Sequence, residues 1–228
     1  MSSRIQFSCI IPCFNEAPRV RSVLRTVTKV KTIDEIICVD DGSSDGTDDI
    51  IANEFPKIRL IKLKENSGKS NAISKGLLAA KGKYIVLVDA DLKGLKSREL
   101  QNAVEVMRGD MYDMIVMRRT MHPYIVKLLR GDILIPGERI VRKTILAEVL
   151  NKNVNGFQIE AALNRYSLEK SLRTGWMPNS ALSVPWIVKV SFMKGIHKDV
   201  LMFYDLYRFL GLKGIVQQYL YFCRDRAE

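Results

Sequence analysis

Two histidines and four cysteines are a small stock of soft metal ligands for a chain of 228 residues. Cys9, Cys13, Cys38 and Cys223 form no Cys-x-x-Cys pair and no Cys/His cluster of zinc spacing, which excludes a zinc ribbon or a disulfide scaffold. Cys9 and Cys38 lie in apolar runs, where a thiol behaves as a small hydrophobe. All four are therefore read as reduced, and the protein as cytoplasmic. Long apolar runs are also missing. The longest uncharged stretch, Thr174–Val188, holds Pro178 and Pro185 and falls short of the roughly 20 apolar residues a spanning helix needs. No secretory leader is expected, because Arg4 runs straight into a strand pattern. Internal repeats and low-complexity segments are absent. So is any interleaving of Gly, Arg and aromatics, and nucleic acid is not an expected partner.

What is present is an ordinary globular composition, 47% hydrophobic and 27% charged, long enough to bury a core without staples. The net charge is +11, with most of the excess after residue 110. Such a surplus favours an anionic partner without choosing among phosphates, nucleic acid and acidic membranes. In the first half, strand and helix patterns alternate. Gln6–Pro12, Glu35–Asp40, Ile58–Lys62, Tyr84–Asp89 and Asp113–Met117 read as strands. Arg19–Val30, Asp48–Glu54, Lys69–Ala80 and Ser97–Arg108 read as helices between them. This alternation predicts an α/β fold with a parallel sheet flanked by helices. The second half is less regular. Arg118–Gly137 reads as a basic, Pro-containing connection, Glu138–Arg142 as a strand, and Thr144–Leu150 and Gln158–Leu172 as helices.

Ligands of open parallel sheets bind beyond the carboxyl ends of the strands. Three predicted ends carry unusual polar residues: Pro12-Cys13-Phe14-Asn15-Glu16, Asp40-Asp41-Gly42-Ser43 and Asp89-Ala90-Asp91. Strand alternation would point Asp89 and Asp91 the same way, toward one divalent cation. Two carboxylates with open positions suit Mg2+ or Mn2+ shared with substrate phosphates. Asp41 is placed to accept a hydrogen bond from a base or ribose. Lys69, Arg118 and Arg119 would bring positive charge toward phosphates. Taken singly, each cluster also fits a turn or a solvated surface; their shared placement at successive strand ends is the signal.

The segments IIPCFNE, EIICVDDGSSDGT and NSGKSNAISKGLLAAKGKYIVLVDADL, in this order, resemble the nucleotide-sugar half of family 2 glycosyltransferases of the GT-A fold. The likeness covers roughly residues 5–120. It implies a Rossmann-like, mostly parallel sheet and transfer of a sugar from a UDP- or GDP-linked donor with Mg2+ or Mn2+. By the same resemblance Pro12, Phe14 and Glu16 line the base and ribose, Asp41 binds the base edge, and Lys69 sits near the diphosphate. Asp89 and Asp91 form the Asp-x-Asp motif, Asp91 being the more direct metal ligand. On this reading residues 1–120 are the donor half of one domain, 121–198 its acceptor half, and 199–228 a helical C-terminal segment.

After residue 110 the Glu-Asp pair that many inverting members carry as the catalytic-base region is missing. The segments around Glu138 and Gly156-Phe157-Gln158-Ile159-Glu160 resemble dolichol-phosphate-mannose synthase-like and glucosyl-3-phosphoglycerate synthase-like enzymes. They make Glu138 and Glu160 the candidates for base or acceptor contact, with helix capping the plainer role for Glu160. His197 is a weaker candidate, read first as a surface residue. Two other functions compete: a sugar-phosphate nucleotidyltransferase, although the Gly-x-Gly-Thr-Arg loop is lacking, and a non-catalytic nucleotide-sugar binder. The acceptor is expected to be a small molecule or a lipid phosphate. Between Asp199 and Cys223, apolar residues recur at helical spacing among basic ones. That segment is a candidate for peripheral contact with the inner face of a membrane, for a homodimer contact, or for core packing.

Overall fold

The computed structural model describes residues 6–152, 154, 158–183 and 192–228, with the backbone alone at 125, 192–199 and 203. Apolar runs dense in Ile, Val and Cys become the largely buried strands β1 (Phe7–Cys13), β2 (Glu35–Asp40), β4 (Tyr84–Leu87) and β6 (Met114–Arg119), and the short β3 (Arg59–Lys62) is exposed at both ends. With β7 (Arg139–Arg142) and β8 (Thr174–Asn179) they form one seven-stranded sheet in the order β3-β2-β1-β4-β7-β6-β8. All neighbours run parallel except β7, which is antiparallel to both β4 and β6. The expected mostly parallel α/β architecture is what the chain forms.

Helices cover both faces. On one side α1 (Val20–Val27) and α4 (Ser97–Arg108) press Val23, Leu24, Val104 and Met107 onto Phe7, Cys9, Ile11 and Val86. On the other, α3 (Lys69–Ala79), α7 (Lys143–Leu150) and α8 (Gln158–Glu169) pack Ile73, Leu146 and Leu163 against Ile10, Ile85 and Val141. Alternation along each strand sends successive side chains to opposite layers, so both faces are dry. α2 (Thr47–Glu54) closes the loop after β2. All four cysteines are buried and free. Burial pushes the Cys9 thiol well above its ordinary range and Cys223 up to about 12, which leaves both unreactive.

The structure differs from the sequence reading in several places. β4 stops at Leu87, and Asp89-Ala90-Asp91 lies in a turn before β5 (Leu92–Lys93), which pairs with β9 (Leu182–Ser183) in a two-stranded ribbon. The connection after β6 contains two short helices, α5 (Tyr124–Leu128) and α6 (Gly131–Leu134). β8 falls in the uncharged stretch around Trp176, which carries no clean alternation. The last helix, α9 (Phe192–Tyr221), is broken at Gly211 (φ 64°, ψ 170°), a backbone state glycine tolerates. Beyond it, the Trp176 N–H donates to the Asp225 carbonyl and the Ala227 N–H to the Trp176 carbonyl, laying the last residues along the outer edge of β8.

Candidate active site

A cleft of about 810 Å3 opens where β1, β2, β4 and β6 end. Its polar floor comes from four separate loops. After β1 the chain turns at Asn15, which adopts φ 54°, a left-handed conformation Asn accepts more readily than most residues. The Asn15 N–H donates to Ser43 Oγ (2.9 Å) and its side-chain oxygen accepts from the Ser44 N–H (2.9 Å), locking the first loop to the second. Phe14 and Pro12 line the cleft, and buried Glu16 lines it while paired to Arg19.

The second loop is held from below. Asp41 accepts from the Ser67 N–H and Oγ (both 2.9 Å) through one oxygen and from the Gly68 N–H (2.8 Å) through the other. Gly42 (φ +75°) allows the two loops to touch, since a Cβ there would stand 2.7 Å from the Glu65 carbonyl carbon. Asp41 thus lines the cleft but spends its carboxylate on the 65–68 loop. It thereby fixes the start of α3, where Lys69 projects. Neighbouring Asp40 has its carboxyl pushed up by burial, and its Oδ1 is without a hydrogen-bond partner.

Lys69 ties the two halves of the cleft together. Its Nζ lies 2.6 Å from Asp89 Oδ1 and 2.7 Å from Glu160 Oε1 at the start of α8. Burial works against its charge, yet the two carboxylates outweigh it and hold Lys69 above its ordinary range. Gly137 packs directly on this pair: a Cβ would fall 2.5 Å from Lys69 Nζ and 2.6 Å from Asp89 Oδ2. Asp91 and Arg119 complete the floor, with Arg119 3.7 Å from Asp89.

Glu138 does not line the cleft. It is buried, and both of its oxygens receive the fork of Arg119 (3.0 and 2.8 Å), while Arg119 Nη1 donates to Ser183 Oγ (2.6 Å). Burial pushes the Glu138 carboxyl up, against the pull of Arg119. Of the two candidate glutamates, only Glu160 reaches the cleft. The adjacent arginines also part company, because they alternate along β6. Arg119 turns into the cleft; Arg118 turns away from it, onto buried Asp132 (2.5 Å) and over the Trp176 ring (4.7 Å). The side chain of His197, Gly156 and Phe157 lie outside the described residues.

Residues 129–135 and the last helix supply an opposite wall. Leu129, Leu134, Ile135, Leu206, Leu210 and Ile215 line the far side of the cleft and are apolar. A buried polar chain seats α9 there. Arg139, fully buried, donates to Asn164 Oδ1 (2.5 Å); Asn164 donates to Gln218 Oε1 (2.9 Å); Gln218 donates to the Ala161 carbonyl (3.0 Å). Arg139 also donates to the carbonyls of Pro136 and Leu134. The only sign of this in the sequence is polar residues recurring inside apolar patterns.

No group of three or more His, Cys, Asp or Glu side chains that could hold a metal occurs among the described residues. Asp89 and Asp91 nevertheless fit a hard divalent cation that takes its remaining oxygens from a bound phosphate. Asp89 already gathers the Lys69 ammonium, in a cradle that a Cβ at position 137 would fill.

Comparisons with known proteins bear on the family and the fold. The chain is 40% identical over 101 residues to a dolichyl-phosphate beta-glucosyltransferase of Dictyostelium discoideum, covering 38% of this chain and 31% of that protein. It is 38% identical over 88 residues to a poly-beta-1,6-N-acetyl-D-glucosamine synthase of Staphylococcus epidermidis, covering 37% of this chain and 21% of the other. The chain thus spans about a third or less of the length of these curated relatives. Among solved structures it shares its fold with glucosyl-3-phosphoglycerate synthase from Mycobacterium tuberculosis, solved with Mn2+, UDP and phosphoglyceric acid. There the TM-score is 0.69 at 16% identity, over 96% of this chain and 80% of that one. S. aureus TarS 1–349 in complex with UDP-GlcNAc gives a TM-score of 0.58 at 20% identity, over 77% and 56% of the two chains. The family model described as glycosyl transferase family 2 matches residues 8–172, and the chain belongs to that family.

Proposed function

We propose that this protein transfers a hexosyl unit from a nucleoside-diphosphate sugar to a lipid-phosphate acceptor, with a divalent cation, Mg2+ or Mn2+, at Asp89 and Asp91. The observation that carries this reading is one cleft at the strand ends with Asp89, Asp91, Lys69 and Arg119 on its floor and an apolar wall opposite. Residues 1–120 take the donor, 121–198 the acceptor, and 199–228 close the acceptor side. Pro12, Phe14 and Glu16 border the base and ribose, and Asp41 sets the loop beneath them. Asp89 and Asp91 would hold the cation, which would supply charge neutralisation to the diphosphate as its bond to the sugar breaks.

Lys69 and Arg119 meet the same developing charge as fixed cations, preorganised before substrate arrives. Glu138 acts one step back, holding the Arg119 fork in place from inside the core. Glu160, released from Lys69 when a diphosphate draws that ammonium, faces the acceptor and is the candidate to receive the remaining proton of an acceptor phosphate that binds as the monoanion. Supporting the lipid class are the apolar wall and the dolichyl-phosphate relative. Membership of the family replaces the nucleotidyltransferase alternative.

The test is nucleotide release from UDP- and then GDP-linked sugars, with Mn2+ or Mg2+, in the presence of a short polyprenyl phosphate or of phosphoglycerate. Release that needs both the cation and the polyprenyl phosphate is expected. Release that persists in chelator ends the metal reading, and release driven by phosphoglycerate alone replaces the lipid acceptor with a soluble one. Donor binding without release under every condition leaves a non-catalytic binder.

A further inference from the structure

After the break at Gly211, α9 is turned inside out for a helix of a globular protein. One of its polar residues, Gln218, is buried (4% exposed), while Leu212 (68%), Val216 (45%) and Leu220 (42%) face solvent beside exposed Lys213 and Gln217. These three are spaced four apart, so they form one stripe along the helix. Beside the stripe lie the exposed side chains of Tyr124, Leu128 and Leu129, joined to it by the Tyr219 hydroxyl, which donates to the Leu128 carbonyl (3.0 Å). An exposed apolar face of this breadth marks a contact surface.

We infer that this face docks the protein on an anionic lipid bilayer, with the cleft mouth against the membrane. Charge supports that occupant. Residues 120–130 and 200–224 carry five basic side chains, Lys127, Arg130, Arg208, Lys213 and Arg224, against one acidic residue, Asp205. Asp205 is turned inward, accepting from Gln158 (2.9 Å). Basic residues at the rim of an apolar stripe are drawn to acidic headgroups, and tyrosines suit the headgroup boundary. Position supports it as well. Leu129 and Ile215 belong both to the exposed face and to the wall of the cleft. A bilayer on this face therefore meets the apolar wall directly. No helix among the described residues is long and apolar enough to cross a membrane, and the contact inferred for this face is with the bilayer surface.

The inference deepens the lipid-phosphate reading and rests on it for the direction in which the cleft opens. Its test needs neither donor nor acceptor. Full-chain protein is sedimented with vesicles of phosphatidylcholine alone or with about a third phosphatidylglycerol, at low and high salt. Binding to the anionic vesicles is expected to exceed binding to neutral ones at least tenfold and to weaken with salt. The triple variant Leu212→Ser, Val216→Ser, Leu220→Ser and the charge variant Lys213→Glu should each lose about tenfold or more of that binding. Circular dichroism checks that both remain folded; all four positions are exposed.

Wild-type protein that stays in the supernatant overturns the proposal. So does a dimer on gel filtration that the triple variant dissolves, because the face is then an interface between copies. If vesicles bind but only a soluble acceptor is glycosylated, docking stands and the lipid acceptor falls; lipid-phosphate transfer without vesicle binding has the opposite meaning.

Discussion

The two sides of the cleft are built on different principles. On the donor side, Pro12, Phe14, Glu16, Asp41, Asp89 and Asp91 sit at or just beyond the ends of parallel strands, and Lys69 opens α3. Their neighbours are fixed by the sheet ladder and by loop-to-loop hydrogen bonds such as Asn15 with Ser43 and Asp41 with Ser67. On the acceptor side, strands and short helices are held by buried side chains: Arg139 to Asn164 to Gln218, and Arg119 to Glu138. The first kind of site is written locally. The second is not: its partners are 19 to 54 residues apart, a separation the donor-side loop bonds share at 26 and 28, but no carboxyl end of a strand marks Asn164 or Gln218 in the sequence.

Substitutions can break or sharpen that contrast. The largest effect is expected at Asp91→Asn, with turnover falling about a thousandfold, in keeping with the several kcal/mol of charge stabilisation a metal supplies. Its melting temperature should stay near wild type, because Asp91 lies in a turn and not in the packed core. Collapse of the fold would mean that the donor side depends on buried polar chains as much as the acceptor side does.

Next comes Glu138→Ala, which removes the two-pronged partner of the buried Arg119 guanidinium and leaves it Ser183 and, at 3.7 Å, Asp89. A loss of about 3–5 kcal/mol in denaturant unfolding is expected. Glu160→Ala should instead keep most of the stability and lose transfer. Equal stability losses in the two would erase the division between them drawn here.

Asn164→Ala is expected to remove about 1–3 kcal/mol, the cost of leaving buried polar groups of Arg139 and Gln218 without a partner. Because Gln218 lines the cleft, the apolar wall should shift with it. Donor affinity, measured by titration with a nucleoside diphosphate, should not change. A weakened donor site would show that the two sides are coupled through the core.

The smallest effect concerns the far end of the sheet. Hydrogen bonding from Tyr84 and Lys83, with Arg142 alongside, lowers the Asp110 carboxyl to about 2 from its ordinary 3.8. A carboxylate with a depressed folded value adds stability above its unfolded value and loses it as pH falls through the folded one. Asp110→Asn should therefore flatten acid sensitivity between about pH 4 and pH 2, read as the slope of melting temperature against pH. An unchanged slope would show that the contact is screened by solvent.

How far the sequence could be read follows the same divide. Asp41, Lys69, Asp89 and Asp91 were legible because apolar β-branched runs announce strands and the residues that follow them announce the cleft. Even so, alternation did not place Asp89 and Asp91, since β4 ends before them and a turn brings both to the cleft. Arg118 and Arg119 were read as a pair, whereas strand geometry sends them to opposite faces. Glu138 and Glu160 looked equivalent in sequence, and only the fork of Arg119 separates them. The apolar wall was least legible: periodicity identifies an apolar helical face but not what that face will meet.

The sheet ends in two edges, and they are guarded differently. At one end β3 is only four residues long and begins and ends in exposed Arg59 and Lys62, charges that discourage another strand from adding on. At the other, residues 225–227 take both backbone groups of Trp176 in the middle of β8, and Pro178 has no N–H to offer, so the edge is a broken template. A protein that gathers on a surface reaches high local concentrations, where an open strand edge would seed fibrils of its own kind. Here crowding can bring copies side by side without giving their sheets a way to join.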